Sequence, residues 1–386
     1  MNSATAKPVA VENASAADAP PLACYVLSRP GLAPARRLRA LLAARPWKTP
    51  DGRSSRTLLY APERFLQPGS DERPLQRLSD ILSREYRHCA AHVFVGAIGI
   101  AVRVLAPLLR HKSLDPPAVV LSPDGHFAIS LVSGHWGGGN ALARHIAELI
   151  GATPVITTAS DLADGKPLAL DMLLRDAGLR ILDWAKLPGF QARLLEGRGL
   201  SLWDPCRTVD DKLSPGLKRL DSCEDFPCPE RGGEDIVAVH WRVLPPGPRL
   251  LRCAAPRLFV GLGCRKDVPR EAVHEALEAC FSAEGLEMSA IAALATVREK
   301  RDCPAIVRAA ARLGLPVLDF SAEHLAARAS PNPSGAAGRR FEQPPFSVCE
   351  AAALSAAGPD SRLIVAKRKF HGLLTLAVGL RVKAAV

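Results

Sequence analysis

Residues 130–141 read SLVSGHWGGGNA, and the parsing of this stretch decides the fold. The apolar run Phe127–Val132 leads into it. Beyond it, Leu142, Ile146 and Leu149 recur on one face of a helical pattern. A strand therefore runs through a glycine loop into a helix. In an open, mostly parallel sheet, such a junction lies at the carboxyl end of its strand, where these folds bind ligands. Gly134, Gly137, Gly138 and Gly139 leave the backbone bare enough for N–H groups to approach an anion. The helix start adds partial positive charge. Asn140 is placed to cap that helix or to hydrogen-bond a ligand. His135 brings a side chain that exchanges protons near neutrality, suited to a general base or acid beside the anion. A tight turn around a core histidine would use the same residue types, but the density of glycine favours anion binding. The spacing is neither G-x-G-x-x-G nor a P-loop, since no Lys-Ser/Thr follows.

Working outward, residues 23–161 alternate strand-like runs (ACYVLS, RTLLYA, HVFVGAIGIAV, PAVVLS, FAISLV, TPVITTASD) with helical patterns. Residues 162–255 are broken by Gly, Pro and charge, and only Asp235–Leu244 (DIVAVHWRVL) reads as a firm strand. From residue 256 to 386 the rhythm resumes, with RLFVGLG, IAALATV, PVLDFS, RLIVAKRK and LLTLAVGLRV as strands between helical segments. The fold class expected is α/β: two mostly parallel-sheet α/β domains (23–161 and 256–386) joined by a smaller irregular middle module (162–255). Residues 1–22, rich in Ala, Pro and Ser, read as a disordered tail. They lack the basic start and apolar block of a secretory signal, so a cytoplasmic location is expected.

Composition narrows the partners. The 386 residues are 48% apolar and 23% charged, a globular profile, with no run long enough to cross a bilayer. Ten cysteines are scattered without Cys-x-x-Cys or zinc-type spacing, so neither a disulfide framework nor a structural metal is inferred. The formal charge of +11 favours a polyanionic partner. Nucleic acid would satisfy it, but aromatics are only 5% and the basic residues form no stripe. A small polycarboxylate would satisfy it equally.

A second junction, FVGLGCRKDVPRE (259–271), repeats the layout: Gly261 and Gly263 close a strand, and Arg265 and Lys266 precede a helix with Asp267 as N-cap and Pro269 in its first turn. Two cations are unfavourable at a helix start unless an anion sits between them. Thr296 and Lys300 follow the next strand. Arg103, Lys112 and Asp115 surround a strand–helix–strand unit and, taken alone, read as solvated surface. Glu350 lies in the apolar VCEAAALSAA, where a lone carboxylate is costly to bury; it is either salt-bridged or a pKa-shifted acid/base. Cys264 beside Arg265 and Lys266 is an activated thiolate or, better, a buried bystander. The segment SPNPSGAAGRR (330–340) reads as a surface loop.

Together, VFVGAIGIAVRVLAPLL, the Lys112-Ser-Leu-Asp115-Pro run, ISLVSGHWGGGNALARHIAELIGATPVITTASD, VGLGCRK, LATVREK and CEAAAL…LIVAKRK…LTLAVG resemble the CbiG family of cobalamin biosynthesis, the cobalt-precorrin-5A hydrolases. Gly139 stands where that family usually has Ala, and RDCPA after Lys300 replaces a usual acidic pair. The resemblance implies hydrolysis of the δ-lactone of a cobalt-containing corrin precursor, with the two-carbon C20 unit leaving as acetaldehyde. It also implies a carboxylate-studded substrate that carries its own cobalt, so no protein metal or cofactor is expected, and no nucleic acid or membrane partner. Transient contact with neighbouring pathway enzymes fits the same picture.

On this reading His135 takes the proton of the attacking water, Gly134, Gly137, Gly138 and Asn140 stabilise the oxyanion, and Glu350 is a second base. Arg103, Arg265, Lys266, Lys300 and Lys367 pair with peripheral carboxylates, and Ser133 and Thr296 contact the substrate. A covalent role for Ser133 lacks the G-x-S-x-G elbow. A non-catalytic corrinoid carrier and, from charge alone, a nucleic-acid binder are the alternatives.

Overall fold

The computed structural model describes residues 20–50, 52–66, 69–158, 169–210, 216–220 and 234–382. Its contacts divide the chain into unit 1, ending at Met172, and unit 2, beginning at Leu173. The expected tail lies outside the described residues as far as residue 19, and Leu22 already opens the first strand.

Unit 1 is a seven-stranded sheet of β1 (Leu22–Val26), β2 (Thr57–Ala61), β3 (Arg73–Pro74), β4 (Ala91–Val95), β5 (Ala118–Leu121), β6 (Phe127–Val132) and β7 (Thr153–Val155), in the order β3-β2-β1-β4-β5-β6-β7. Its helices are α1 (Leu32–Ala44), α2 (Leu78–Glu85), α3 (Ile98–Leu105) and α4 (Gly139–Ile150). Leu22, Cys24 and Val26 pack with α1 and α4, while Ala23 and Tyr25 pack with α2 and α3. Both faces of β1 are thus buried, which explains its unbroken apolar sequence.

β1 to β5 pair in parallel, but β6 pairs antiparallel with β5, with Ala118 opposite Val132, and β7 follows β6 in parallel. The glycine loop after β6 therefore sits at the edge where β5 begins. It does not share the edge where β1, β2, β4 and β5 end, which corrects the placement expected from an all-parallel sheet. The helix start differs too. Gly138, at φ 84°, is the N-cap and makes no side-chain cap, so Asn140 lies inside the first turn.

A further helix, α5 (Leu170–Asp176), leads into unit 2. The middle segment, where sequence shows one firm strand, holds a five-stranded sheet. It comprises β8 (Arg180–Ile181), β9 (Leu200–Trp203), β10 (Leu217–Arg219), β11 (Ile236–His240) and β12 (Leu250–Ala254), with α6 (Leu187–Leu195). Only β8 runs against its neighbour.

The last sheet comprises β13 (Leu258–Cys264), β14 (Ile291–Val297), β15 (Val317–Phe320), β16 (Ser361–Phe370) and β17 (Leu374–Arg381), in the order β15-β14-β13-β17-β16. β13, β14 and β15 are parallel, and β16 and β17 form a hairpin. His371 and Gly372 turn it with φ 47° and 67°, the doubly positive pattern that matches strand twist. α7 (Ala272–Glu284) and α8 (Pro304–Leu313) pack on one face, and α9 (Ala322–Ala327) and α11 (Val348–Ala357) on the other. α7 begins five residues beyond Asp267, which is therefore no N-cap, and Arg265 and Lys266 stand clear of the helix start. Part of the expected loop 330–340 forms α10 (Gly335–Phe341).

α11 lies directly on the strands. A Cβ on Gly261 would fall 1.8 Å from the Cys349 carbonyl oxygen, and one on Gly379 would fall 2.8 Å from that of Ala353. Only glycine below and small residues above permit this approach.

His92 in β4 is buried between Tyr25 and Tyr86, Nδ1 lying 3.2 Å from the Tyr25 hydroxyl and Nε2 2.8 Å from the Tyr86 carbonyl. Burial pushes its pKa down to about 4, so the imidazole is neutral in the fold. The unfolded chain binds the proton first on acidification. This contribution is intact above the ordinary histidine pKa and falls as pH drops from there toward 4, by about 3 kcal/mol in all. Urea titrations between pH 7 and 4 should show that slope, and His92→Phe should flatten it.

Candidate functional site

In unit 1 the glycine loop spends much of its own backbone. The Gly138 N–H donates to His135 O at 3.0 Å, the Gly139 N–H to Ser133 O at 3.0 Å and the Asn140 N–H to Gly134 O at 2.9 Å. These amides are not open to a ligand, which removes Gly138 from the expected oxyanion donors. The N–H groups of Gly134 and Gly137 meet no acceptor among the described residues. Close packing fixes the turn. A Cβ on Gly134 would lie 2.6 Å from Asn140 Oδ1, and one on Gly137 2.7 Å from Ser133 Cβ. Asn140, buried, donates from Nδ2 to Thr158 Oγ1 at 2.9 Å, so its amide ties the loop to the segment that follows β7.

Ser133 occupies the left-handed region at φ 54°, and its hydroxyl donates to Asp115 O at 2.7 Å. That proton is committed to the backbone, which argues against a nucleophilic serine. Asp115 is itself buried and accepts from the Arg110 N–H. The Lys112–Asp115 run, read from sequence as surface, supports the loop.

His135 is nearly enclosed, its side chain 15% exposed, and Nδ1 lies 3.7 Å from Asp171 Oδ1. Asp171, at the start of α5, is buried and reaches Lys112 Nζ at 3.4 Å through its other oxygen. Sequence reasoning missed Asp171. Arg103 is exposed on α3, with its guanidinium toward Gly99 O, and has no polar contact with this cluster.

In unit 2 the parallel strand ends of the last sheet open into a cavity of about 460 Å³. Gly263 at the end of β13, Arg265 just after it, Lys300 after β14, Lys367 and Lys369 on β16, and Ser334, Arg340 and Phe341 from the α10 segment line it. Five cations thus face one space, and none pairs with a carboxylate of the described residues. Lys300 is buried even so. Of the cations expected to meet peripheral carboxylates, Arg265, Lys300 and Lys367 line this one cavity. Arg340 and Lys369 are additions that only the fold reveals. Lys266 is exposed outside the lining, and Thr296 is fully buried with its hydroxyl on Leu262 O at 2.9 Å, so it clamps two strands instead of meeting a ligand. The Cys264 Sγ lies 3.3 Å from that of Cys303, and burial pushes the Cys264 thiol up to about 12, which rules out the activated-thiolate alternative.

Glu350, fully buried, accepts from Asn332 N at 2.9 Å, Asn332 Nδ2 at 2.7 Å and Lys367 N at 2.9 Å. Burial alone would push its carboxyl up. The hydrogen bonds from Asn332 and Lys367 outweigh it and hold the pKa below the ordinary carboxylate value. An enclosed, acidic carboxylate with three donors on it is no general base. Glu350 instead clasps the segment before α10 to β16, fixing two cavity walls.

Family models described as Cobalamin synthesis G N-terminal and Cobalamin synthesis G C-terminus match residues 80–161 and 258–379. The cobalt-precorrin-5A hydrolase of Salmonella typhimurium is 32% identical over 247 residues, covering 61% of this chain and 67% of that protein. That of Priestia megaterium is 24% identical over 339 residues, covering 83% and 88%. A solved cobalamin biosynthesis protein G homologue from Sulfolobus solfataricus aligns over 94% of this chain and 97% of its own, at 18% identity and TM-score 0.36.

Glu350→Gln would turn an amide N–H₂ toward backbone donors and should cost about 2 kcal/mol at neutral pH, read from urea midpoints. The stabilisation that a depressed carboxyl supplies exists above its unfolded pKa and is lost as pH falls through the folded one. The variant should therefore lose less stability than the parent on acidification below pH ~4.

Proposed function

The chain belongs to the CbiG family of cobalamin biosynthesis, and we propose that it hydrolyses the δ-lactone of cobalt-precorrin-5A at the Gly134–Gly137 loop of unit 1. It is a hydrolase of that pathway, as its relatives are. No helix among the described residues is long and apolar enough to cross a membrane. The observation that carries the substrate assignment is the set of five cations lining the unit 2 cavity without a carboxylate partner among the described residues. Unpaired cations around one space repel each other and lower stability unless an anion arrives. The acetate and propionate groups of a corrin ring supply such anions, and charge-assisted hydrogen bonds to them are strong.

The chemistry assigned to unit 1 needs few groups. A water beside His135 gives its proton to the imidazole while its oxygen bonds to the lactone carbonyl carbon. The amides of Gly134 and Gly137, which have no acceptor among the described residues, receive the oxyanion. Collapse expels the ring oxygen, which takes the proton back from the imidazolium. The hydroxyl so released on C20 gives its proton to solvent and becomes the carbonyl of acetaldehyde as its carbon–carbon bond to the ring breaks, and that bond's electrons pass into the conjugated macrocycle, which takes up a proton. Cobalt belongs to the substrate in this scheme, and the protein contributes no metal or cofactor.

Incubation with the lactone-bearing cobalt corrinoid should yield acetaldehyde, scored by enzymatic trapping, with the matching mass change of the ring. His135→Ala should slow turnover by roughly 10²–10⁴-fold with substrate still bound. Lys300→Ala with Arg340→Ala should weaken binding about tenfold or more, and the remaining affinity should depend less on salt. Stoichiometric binding by the parent with no acetaldehyde would convert the protein into a carrier and end the hydrolase reading.

A further inference from the structure

We propose that Asp171 is a positioning residue for His135, holding the imidazole by Nδ1 so that Nε2 exchanges the proton; this rests on the reading of His135 as the base. Three observations converge. The carboxylate is buried at the start of α5, in a segment with no recognisable motif, yet it is aimed at the histidine with Oδ1 3.7 Å from Nδ1. Its other oxygen is 3.4 Å from Lys112 Nζ, and the Met172 N–H donates to Oδ1 at 3.0 Å. Its charge is therefore compensated without the histidine. The separation of 3.7 Å is an ion-pair distance and slightly longer than a hydrogen bond. Contacts of this kind commonly tighten when substrate fills a site.

The arrangement assigns work to each ring nitrogen. An anion beside Nδ1 favours the tautomer with hydrogen on Nδ1, leaving the Nε2 lone pair to accept from water. When Nε2 takes that proton, the ring becomes an imidazolium and Asp171 faces a full positive charge. Asp171 is not itself protonated; the proton returns from Nε2 to the departing alkoxide, and the ring ends neutral as it began. The strained turn at Ser133, two residues before the histidine, and the buried Asn140 behind it fix the loop, so the carboxylate has one ring orientation to hold.

The test uses the full chain with ¹⁵N-labelled histidine. His135→Gln identifies the His135 signals among those of the ten histidines. The parent should show His135 with its hydrogen on Nδ1, and Asp171→Asn should shift the ring toward the Nε2–H tautomer while other signals stay in place. With the lactone substrate, Asp171→Asn should lower kcat at least about 100-fold and leave KM within about twofold, and Asp171→Glu should recover part of the loss. An unchanged His135 tautomer in Asp171→Asn, or a kcat equal to the parent's, overturns the proposal even where His135→Ala is inactive. Full activity in His135→Ala would remove the histidine from the chemistry, whereas the tautomer shift would still report the pair. The two failures are thus separable.

Discussion

The contact on which unit 2 depends is the close seat of α11 on β13 and β17. Gly261 and Gly379 carry no side chain, so the helix backbone descends onto the sheet to a depth that a single methyl would forbid. Alanine at 351, 352, 353, 356 and 357 completes the fit. Dispersion falls steeply with distance, and a seat this close recovers contacts that small side chains could not reach otherwise. The depth also fixes where Glu350 ends up. Carried on the first turn of a helix sunk into the sheet, its carboxylate is fully buried, and burial without partners would cost several kcal/mol. It finds three donors, from Asn332 and the Lys367 backbone, and thereby ties the segment before α10 to β16.

That tie explains an electrostatic oddity. The nearest way to satisfy a buried glutamate beside so many cations would be a salt bridge to one of them. Glu350 uses neutral donors instead, two amides of the backbone and one of a side chain, and the lysine it touches is held by its N–H rather than its ammonium. The cavity therefore keeps its positive charge. Asp319, the acid beside β14, is likewise occupied, by Arg298 and Arg301, which do not line the cavity. Acids are present around the site, but they are spent elsewhere. Such an arrangement costs stability in the empty protein and raises local anion concentration at the mouth.

How much of this was legible in sequence differs by element. The strand–glycine–helix junctions were, because apolar period and glycine clustering are local signals. The direction of β6 was not drawn, although Pro123-Asp124-Gly125 sits between two strand-like runs. A connection that short cannot cross over to a parallel neighbour, so turn chemistry at Pro123–Gly125 encodes the hairpin even though the apolar pattern does not. The middle sheet carries a weaker signal: its strands span two to five residues and are separated by Pro, Gly and charge. Arg340 and Lys369 belong to the cavity only because α10 and the β16–β17 hairpin meet there, a long-range fact that no local pattern encodes. Asp171 is the same case in unit 1. Glu350 stands out in the sequence because a carboxylate among alanines is expensive to bury, yet sequence does not distinguish a raised pKa from a lowered one. The hydrogen-bond count decides that.

The glycine loop folds differently from what its sequence suggests. Glycine-rich turns before helices suggest an open cradle of amides, but here Gly138, Gly139 and Asn140 donate inward to the loop's own carbonyls. Those bonds, with Ser133 locked at positive φ by Asp115, make the turn stiff. Stiffness is what an oxyanion site needs, since donors that must reorganise during reaction return little stabilisation. On the proposed reading, the amides of Gly134 and Gly137, which meet no acceptor among the described residues, would be held for the oxyanion on such a turn. The glycines let the chain fold tightly enough to hold those two amides and His135 in a fixed relation.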